Sequence, residues 1–140
     1  MLFTLDHTAI TVKDLDRSIH FYSKILSFQL LSRKKNIVLN VEYALVQVGQ
    51  SRIEILSPIE GEPSDRNPVE SGMEGVASEL GRNVGWNHIA LRIDSMEELC
   101  KVLKASGVRF VMEPKLMGSG SKIAFITDPD GNLIELIQRP

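Results

Sequence analysis

Two histidines and two glutamates stand at a single repeat distance in this chain. His7 and His88 are 81 residues apart, and so are Glu54 and Glu135. Each histidine lies in an alternating apolar stretch, Leu5-Asp6-His7-Thr8-Ala9-Ile10 and Trp86-Asn87-His88-Ile89-Ala90-Leu91. Each glutamate interrupts another, Arg52-Ile53-Glu54-Ile55-Leu56 and Leu133-Ile134-Glu135-Leu136-Ile137. Such alternation is a strand signal, because successive side chains of a strand take opposite faces. A carboxylate centred in an apolar strand is costly to bury without a partner. The chain therefore reads as two copies of one module, with a histidine on the first strand and a glutamate on the last.

The rest of the chain fills in that plan. In the first module, residues 1–58, a strand is expected over Leu5–Val12. Asp14 is a candidate N-cap, and Leu15, Ile19, Tyr22 and Leu26 recur at helical spacing, so a helix is expected over 15–26 with His20 facing solvent. A short strand at 28–32 and a hairpin of 41–48 and 52–56 around Gly49-Gln50 follow. Residues 59–84 form a connector rich in Pro, Gly, Ser and acidic residues. Within it, Val69, Met73, Val76, Ala77 and Leu80 suit a short amphipathic helix. Two roles are open to it, a linker with one packed helix, or a flap over a site or a dimer contact.

The second module, residues 85–140, repeats the order. It has a strand over 86–93, a Ser95/Glu98 capping box, an apolar helix stripe of Met96, Leu99, Val102 and Leu103, and Gly107 as its stop. Strands at 108–112 and 123–127, a turn at Asp130-Gly131 and a last strand at 133–138 complete it. Helices packed on mostly antiparallel strands give the α+β class.

Composition narrows the function. A net charge of −2 over 140 residues gives no electrostatic footprint for nucleic acid. The single basic cluster, Arg33-Lys34-Lys35, reads as a solvated strand end or loop. No apolar run is long enough to span a bilayer. Cys100 is the only cysteine, so no internal disulfide can form and a cytoplasmic location is expected. It sits within an apolar helical pattern and reads as a small core residue.

Two imidazoles and two carboxylates make a mixed nitrogen and oxygen donor set. Such a set suits one borderline divalent ion, Zn, Ni, Co, Mn or Fe(II). His7, Glu54, His88 and Glu135 are the expected ligands. Four protein ligands on an ion that accepts six leave room for substrate oxygens. Arg52 shares Glu54's face, Arg92 shares His88's face, and Lys122 ends the glycine-rich run Gly118-Ser119-Gly120-Ser121. These three are expected substrate contacts, although the glycine-rich run itself is read first as a flexible turn before a strand, because no helix start follows it.

The chain resembles the vicinal oxygen chelate superfamily, which includes glyoxalase I, methylmalonyl-CoA epimerase, bleomycin-resistance proteins and extradiol dioxygenases. The resemblance is carried by the His7 and His88 stretches and by Asp14-Leu15-Asp16-Arg17-Ser18-Ile19-His20-Phe21-Tyr22. It is also carried by Ile126-Thr127-Asp128-Pro129-Asp130-Gly131-Asn132-Leu133-Ile134-Glu135-Leu136. It implies two tandem βαβββ modules forming a cupped, mostly antiparallel sheet around one metal site, and a homodimer. The His, Glu, His, Glu order resembles bacterial glyoxalase I. That implies a metal-dependent lyase or isomerase working by proton abstraction beside a polarised carbonyl, through an enediolate or enolate. Glu135 and Glu54 are then the candidates for the catalytic base, and the substrate is a small thiol adduct.

Two positions differ from glyoxalase I. Thr11 stands where an Arg commonly serves glutathione, and Pro58 where an Asn is frequent. Glu54-Ile55-Leu56-Ser57-Pro58-Ile59 and residues 113–123 resemble methylmalonyl-CoA epimerase, which implies an acyl-CoA thioester as the alternative substrate. A non-catalytic binding (resistance) protein is the further alternative.

Overall fold

The structure is a computed structural model and describes residues 2–140. The chain divides into two compact units that meet at Asp65 and Arg66. Residues 59–65 of the connector fall in the first unit and 66–84 in the second.

The first unit runs β1 (Thr8–Thr11), α1 (Leu15–His20), a π-helical turn (Phe21–Ile25), β2 (Gln29–Asn36), β3 (Val41–Val48) and β4 (Ser51–Pro58). The sheet order is β1-β4-β3-β2, with β1 parallel to β4 and the other neighbours antiparallel. Ala44, Val46, Ile53 and Ile55 are buried on the face covered by α1, together with Val12, Leu15, Phe21 and Tyr22. Asp14 caps α1 by accepting the Arg17 N–H at 3.0 Å, and His20 is exposed.

Beyond His20 the expected α-helix widens into a π-turn, closed by Leu26 N–H to Phe21 C=O at 2.9 Å. Adjacent residues on an α-helix point about 100° apart, so Phe21 and Tyr22 strain a single stripe. In the π-turn both are buried, packed edge to face with centroids 5.0 Å apart. Strand β2 is longer than expected and runs through Arg33-Lys34-Lys35. Arg33 is held there by Asp16 and Glu42.

The second unit contains α2 (Gly72–Arg82), β5 (His88–Arg92), α3 (Met96–Ala105), β6 (Phe110–Leu116), β7 (Lys122–Thr127) and β8 (Leu133–Gln138). Its order, β5-β8-β7-β6, matches the first sheet, again with one parallel pair, β5 and β8. Ser95 caps α3 by accepting from the Glu98 N–H, and Gly107 follows the helix at a φ of 75°. Met96, Cys100 and Leu103 bury one side of α3, and Ala124, Ile126, Ile134 and Leu136 bury the same face of the sheet. Pro114 lies in β6, an edge strand where its missing N–H costs no ladder bond.

The other face of this sheet carries α2. Val69 and Val76 pack with Val111, Met112, Phe125 and Leu133. Gly75 is required there, because a Cβ would overlap the Glu70 backbone carbonyl. The turn before β8 is fixed by Asp128, whose carboxylate accepts the Asp130 and Asn132 N–H groups and the Asn132 amide. That turn sets the register which places Glu135 opposite Phe125. Among the described residues, no helix is long and apolar enough to cross a membrane.

Candidate metal centre

Pairing in each sheet brings one histidine to one glutamate. Ala9 is the partner of Glu54 across β1 and β4, and Ala90 is the partner of Glu135 across β5 and β8. Side chains two residues apart share a face. His7 therefore lies on Glu54's face and His88 on Glu135's, both away from the helix that covers the opposite side. His7 Nε2 is 3.6 Å from Glu54 Oε2, and His88 Nε2 is 3.1 Å from Glu135 Oε2. The side chains are partly accessible, 37% and 24% for the first pair and 24% and 18% for the second. Among the described residues, no group of three or more His, Cys, Asp or Glu side chains is set to hold a metal. The donors stand as two pairs, one in each unit.

The far nitrogen of each imidazole is also engaged. His7 Nδ1 is 2.7 Å from Asp6 Oδ2, and His88 Nδ1 is 2.8 Å from Asn87 Oδ1. A carboxylate or amide oxygen only accepts, so each Nδ1 carries the proton. In a neutral ring Nε2 is then a bare lone pair, and it faces a carboxylate oxygen in both units. Two facing acceptors, 3.6 Å apart in the first unit and 3.1 Å in the second, are reconciled by a cation between them or by a proton on one of the two groups. The Asp6 hydrogen bond raises the His7 pKa, with Glu54 adding to it and desolvation opposing, and the same bond to His7 lowers the Asp6 pKa. An imidazole lone pair beside a carboxylate oxygen is the donor chemistry a borderline divalent metal takes, so each pair would suit part of such an ion's shell.

The other predicted site residues divide. Arg52 follows the alternation of β4 onto Glu54's face, and Arg92 that of β5 onto His88's face; both are exposed. Lys122 is not brought to the His88 face. It pairs with Gln138, on the side of Ala124 and Leu136, and lines a groove with Met96, Cys100 and Lys104 of α3. The Gly118–Ser121 run is the turn between β6 and β7, closed by Met117 N–H to Ser121 C=O at 2.8 Å.

Sequence reasoning passed over Asp6, Asn87 and Phe125. Asp6 and Asn87 carry the same 81-residue offset as the histidines they precede, which was the available signal. Phe125 stands edge-on to His88, centroids 5.7 Å apart, and walls one side of the second pair.

Comparison with known proteins follows the same lines. Residues 4–136 match the model of a family described as Glyoxalase/Bleomycin resistance protein/Dioxygenase superfamily. A probable lactoylglutathione lyase of Vibrio parahaemolyticus is 34% identical over 133 residues, 94% of this chain and 88% of that protein. The lactoylglutathione lyase of Escherichia coli O157:H7 is 32% identical, covering 94% and 90%. Among solved structures, the trypanothione-dependent glyoxalase I of Leishmania major superposes with a TM-score of 0.72 at 25% identity, covering 98% of this chain and 87% of that one.

Proposed function

This chain belongs to the glyoxalase/bleomycin resistance protein/dioxygenase superfamily, and we propose that within it the protein is a metal-dependent lyase of the glyoxalase I type. The observation that carries the reading is the pair of like-built His–Glu contacts, each on the sheet face opposite α1 or α3, in a chain whose relatives over most of its length are lactoylglutathione lyases. His7, Glu54, His88 and Glu135 together ligate one divalent ion, with one pair drawn from each module, in one chain or between exchanged halves of two. The ion is one of Zn, Ni, Co, Mn or Fe(II), the metals this donor set suits.

When bound, the metal supplies Lewis-acid stabilisation of negative charge developing on a substrate oxygen. The chain's residues do the remainder. A glutamate takes the proton from the carbon beside the substrate carbonyl and returns it to the neighbouring carbon. Glu135 is the better placed base, since its pair is the less exposed and the Phe125 ring limits water beside it. Arg52 and Arg92, exposed on the two site faces, are suited to hold the acidic parts of a substrate.

The substrate class is the thiol adduct of a 2-oxoaldehyde, as the names of the relatives suggest. An acyl-CoA epimerase is the second reading, favoured by the uncharged Thr11 on the His7 face. Purified, metal-loaded protein assayed against 2-oxoaldehyde–thiol adducts and acyl-CoA thioesters separates the two. Turnover of the adducts supports the lyase. Turnover of thioesters alone selects the epimerase, and binding without turnover of either selects the resistance-type protein.

A homodimer completes the reading. Val84 and Trp86, next to the His88 strand, and Val38 in the β2–β3 turn stand almost wholly exposed. Exposed apolar groups of this size suit an interface. Light scattering of the metal-loaded protein is expected to give twice the chain mass, and a monomer at micromolar concentration would contradict it.

A further inference from the structure

We propose that Asn87 is a positioning residue for His88, locked by the backbone of α2, and that it fixes which imidazole nitrogen is offered to the metal. The proposal rests on the reading of His88 as a metal ligand. Three contacts run in series within the second unit. Asn87 Nδ2 donates to the Glu79 backbone carbonyl at 3.0 Å, Asn87 Oδ1 accepts from His88 Nδ1 at 2.8 Å, and His88 Nε2 faces Glu135 Oε2 at 3.1 Å.

The direction of this chain is forced. A backbone carbonyl can only accept, so the amide must turn its NH2 group to Glu79. Its oxygen is then left for His88, and that oxygen demands a proton on Nδ1. A reversed amide would set oxygen against the Glu79 carbonyl. The neutral imidazole is thereby held as the Nδ1–H tautomer, with the Nε2 lone pair aimed at the Glu135 carboxylate. Which nitrogen a histidine offers is set by the bond its other nitrogen makes.

Glu79 is itself fixed. Its side chain is buried, with Arg66 at 2.7 Å and Arg82 at 3.5 Å, on a helix whose Val76 is packed into the core below. The docking of α2 is therefore transmitted to one ligand nitrogen. Among the described residues, His7 has no such brace in its own unit. Asp6 also dictates Nδ1–H, but it is 82% exposed at its side chain.

The test uses metal-free full chain with 15N-labelled histidine, observed at a pH where the imidazoles are neutral, alongside zinc titration in competition with a chromophoric chelator. In the unaltered protein, His88 is expected to carry its proton on Nδ1. In Asn87→Ala the proton should move to Nε2, where Glu135 accepts it, and zinc affinity should fall about 10–100-fold, the usual effect of losing such a support. Asn87→Asp keeps an acceptor for Nδ1 and should keep the Nδ1–H tautomer, but it sets an oxygen against the Glu79 carbonyl, so the anchor to α2 is lost and zinc affinity should fall part of the way toward that of the alanine variant. If the alanine variant does not fold, Asn87→Leu, similar in size and without an acceptor, replaces it. Unaltered protein that binds zinc, with an alanine or leucine variant that binds it equally or retains Nδ1–H, overturns the proposal. Failure of the unaltered protein to bind zinc instead overturns the metal reading beneath it.

Discussion

The two His–Glu pairs occupy matching strand positions and differ in what stands behind the histidine. In the first unit, His7 precedes the first paired residue of β1, leans on an exposed carboxylate, and is 3.6 Å from Glu54. In the second, His88 lies within β5, leans on an amide anchored to α2, has the Phe125 ring at its edge, and is 3.1 Å from Glu135. Leu45 takes the place opposite Glu54 that Phe125 takes opposite Glu135. The same donor pair is thus built once loosely and once with support. Duplicated modules can keep their ligands in register while dividing the work, so that one half is preorganised and the other adaptable.

The largest effect that would break this comparison is on chemistry. Glu135→Gln should lower kcat by about 10²–10⁴-fold, the span that general acid–base catalysis commonly contributes, with the fold intact by circular dichroism. Glu54→Gln should cost less in kcat and show more of its loss as weakened metal binding. Equal turnover by Glu135→Gln and the unaltered protein would place the base elsewhere.

Chelation is next. Stripping the metal should abolish turnover and lower the melting temperature, and restoring it to about 100 times its dissociation constant should return about 2.7 kcal/mol of stability. Of the two histidine variants, His88→Ala should lose more metal affinity than His7→Ala, because the better organised ligand is removed.

Gly75→Ala sharpens the comparison from a distance. The new methyl would force apart the 70–75 segment and α2, a cost of about 1–3 kcal/mol for overpacking, read from denaturant unfolding. Through Glu79 and Asn87 it should broaden or shift the His88 ring resonances and leave those of His7 in place. Equal disturbance at both histidines would refute the asymmetry.

The smallest effect is expected at Lys122. Its side chain lines the groove beside α3, so Lys122→Ala should leave kcat and KM unchanged and alter stability by less than about 0.5 kcal/mol, as surface substitutions usually do. Arg52→Ala and Arg92→Ala, on the site faces, should raise KM.

Much of this was legible in the residues. The 81-residue offset picked out the residues of both His–Glu contacts, and period-two alternation put them on the faces they occupy, because strand geometry leaves two choices of face. The Asp14 and Ser95 caps and the Asp130-Gly131 turn marked element ends for the same local reason. Elsewhere the signal was tertiary. The edge strands β2 and β6 extend through Arg33-Lys34-Lys35 and Glu113-Pro114-Lys115, where partner strands rather than apolar alternation define the ladder. The π-turn follows from burying two adjacent aromatic rings. The connector helix was expected from Val69, Met73, Val76 and Leu80, but Val69 and Val76 are buried and Met73 and Leu80 are not. The face α2 turns inward was decided by Gly75 and Glu79, which carry no hydrophobic signal. Lys122 was drawn into the expected site by its glycine-rich neighbours, and strand parity places it on the opposite face.

We propose that four donors from two modules hold one ion. Anomalous diffraction from metal-loaded crystals, recorded at the absorption edge of the bound metal, tests it most directly. The account predicts a single peak with His7 Nε2, His88 Nε2 and oxygens of Glu54 and Glu135 each about 2.0–2.2 Å away. A peak held by one His–Glu pair alone, or separate peaks at the two pairs, would contradict it.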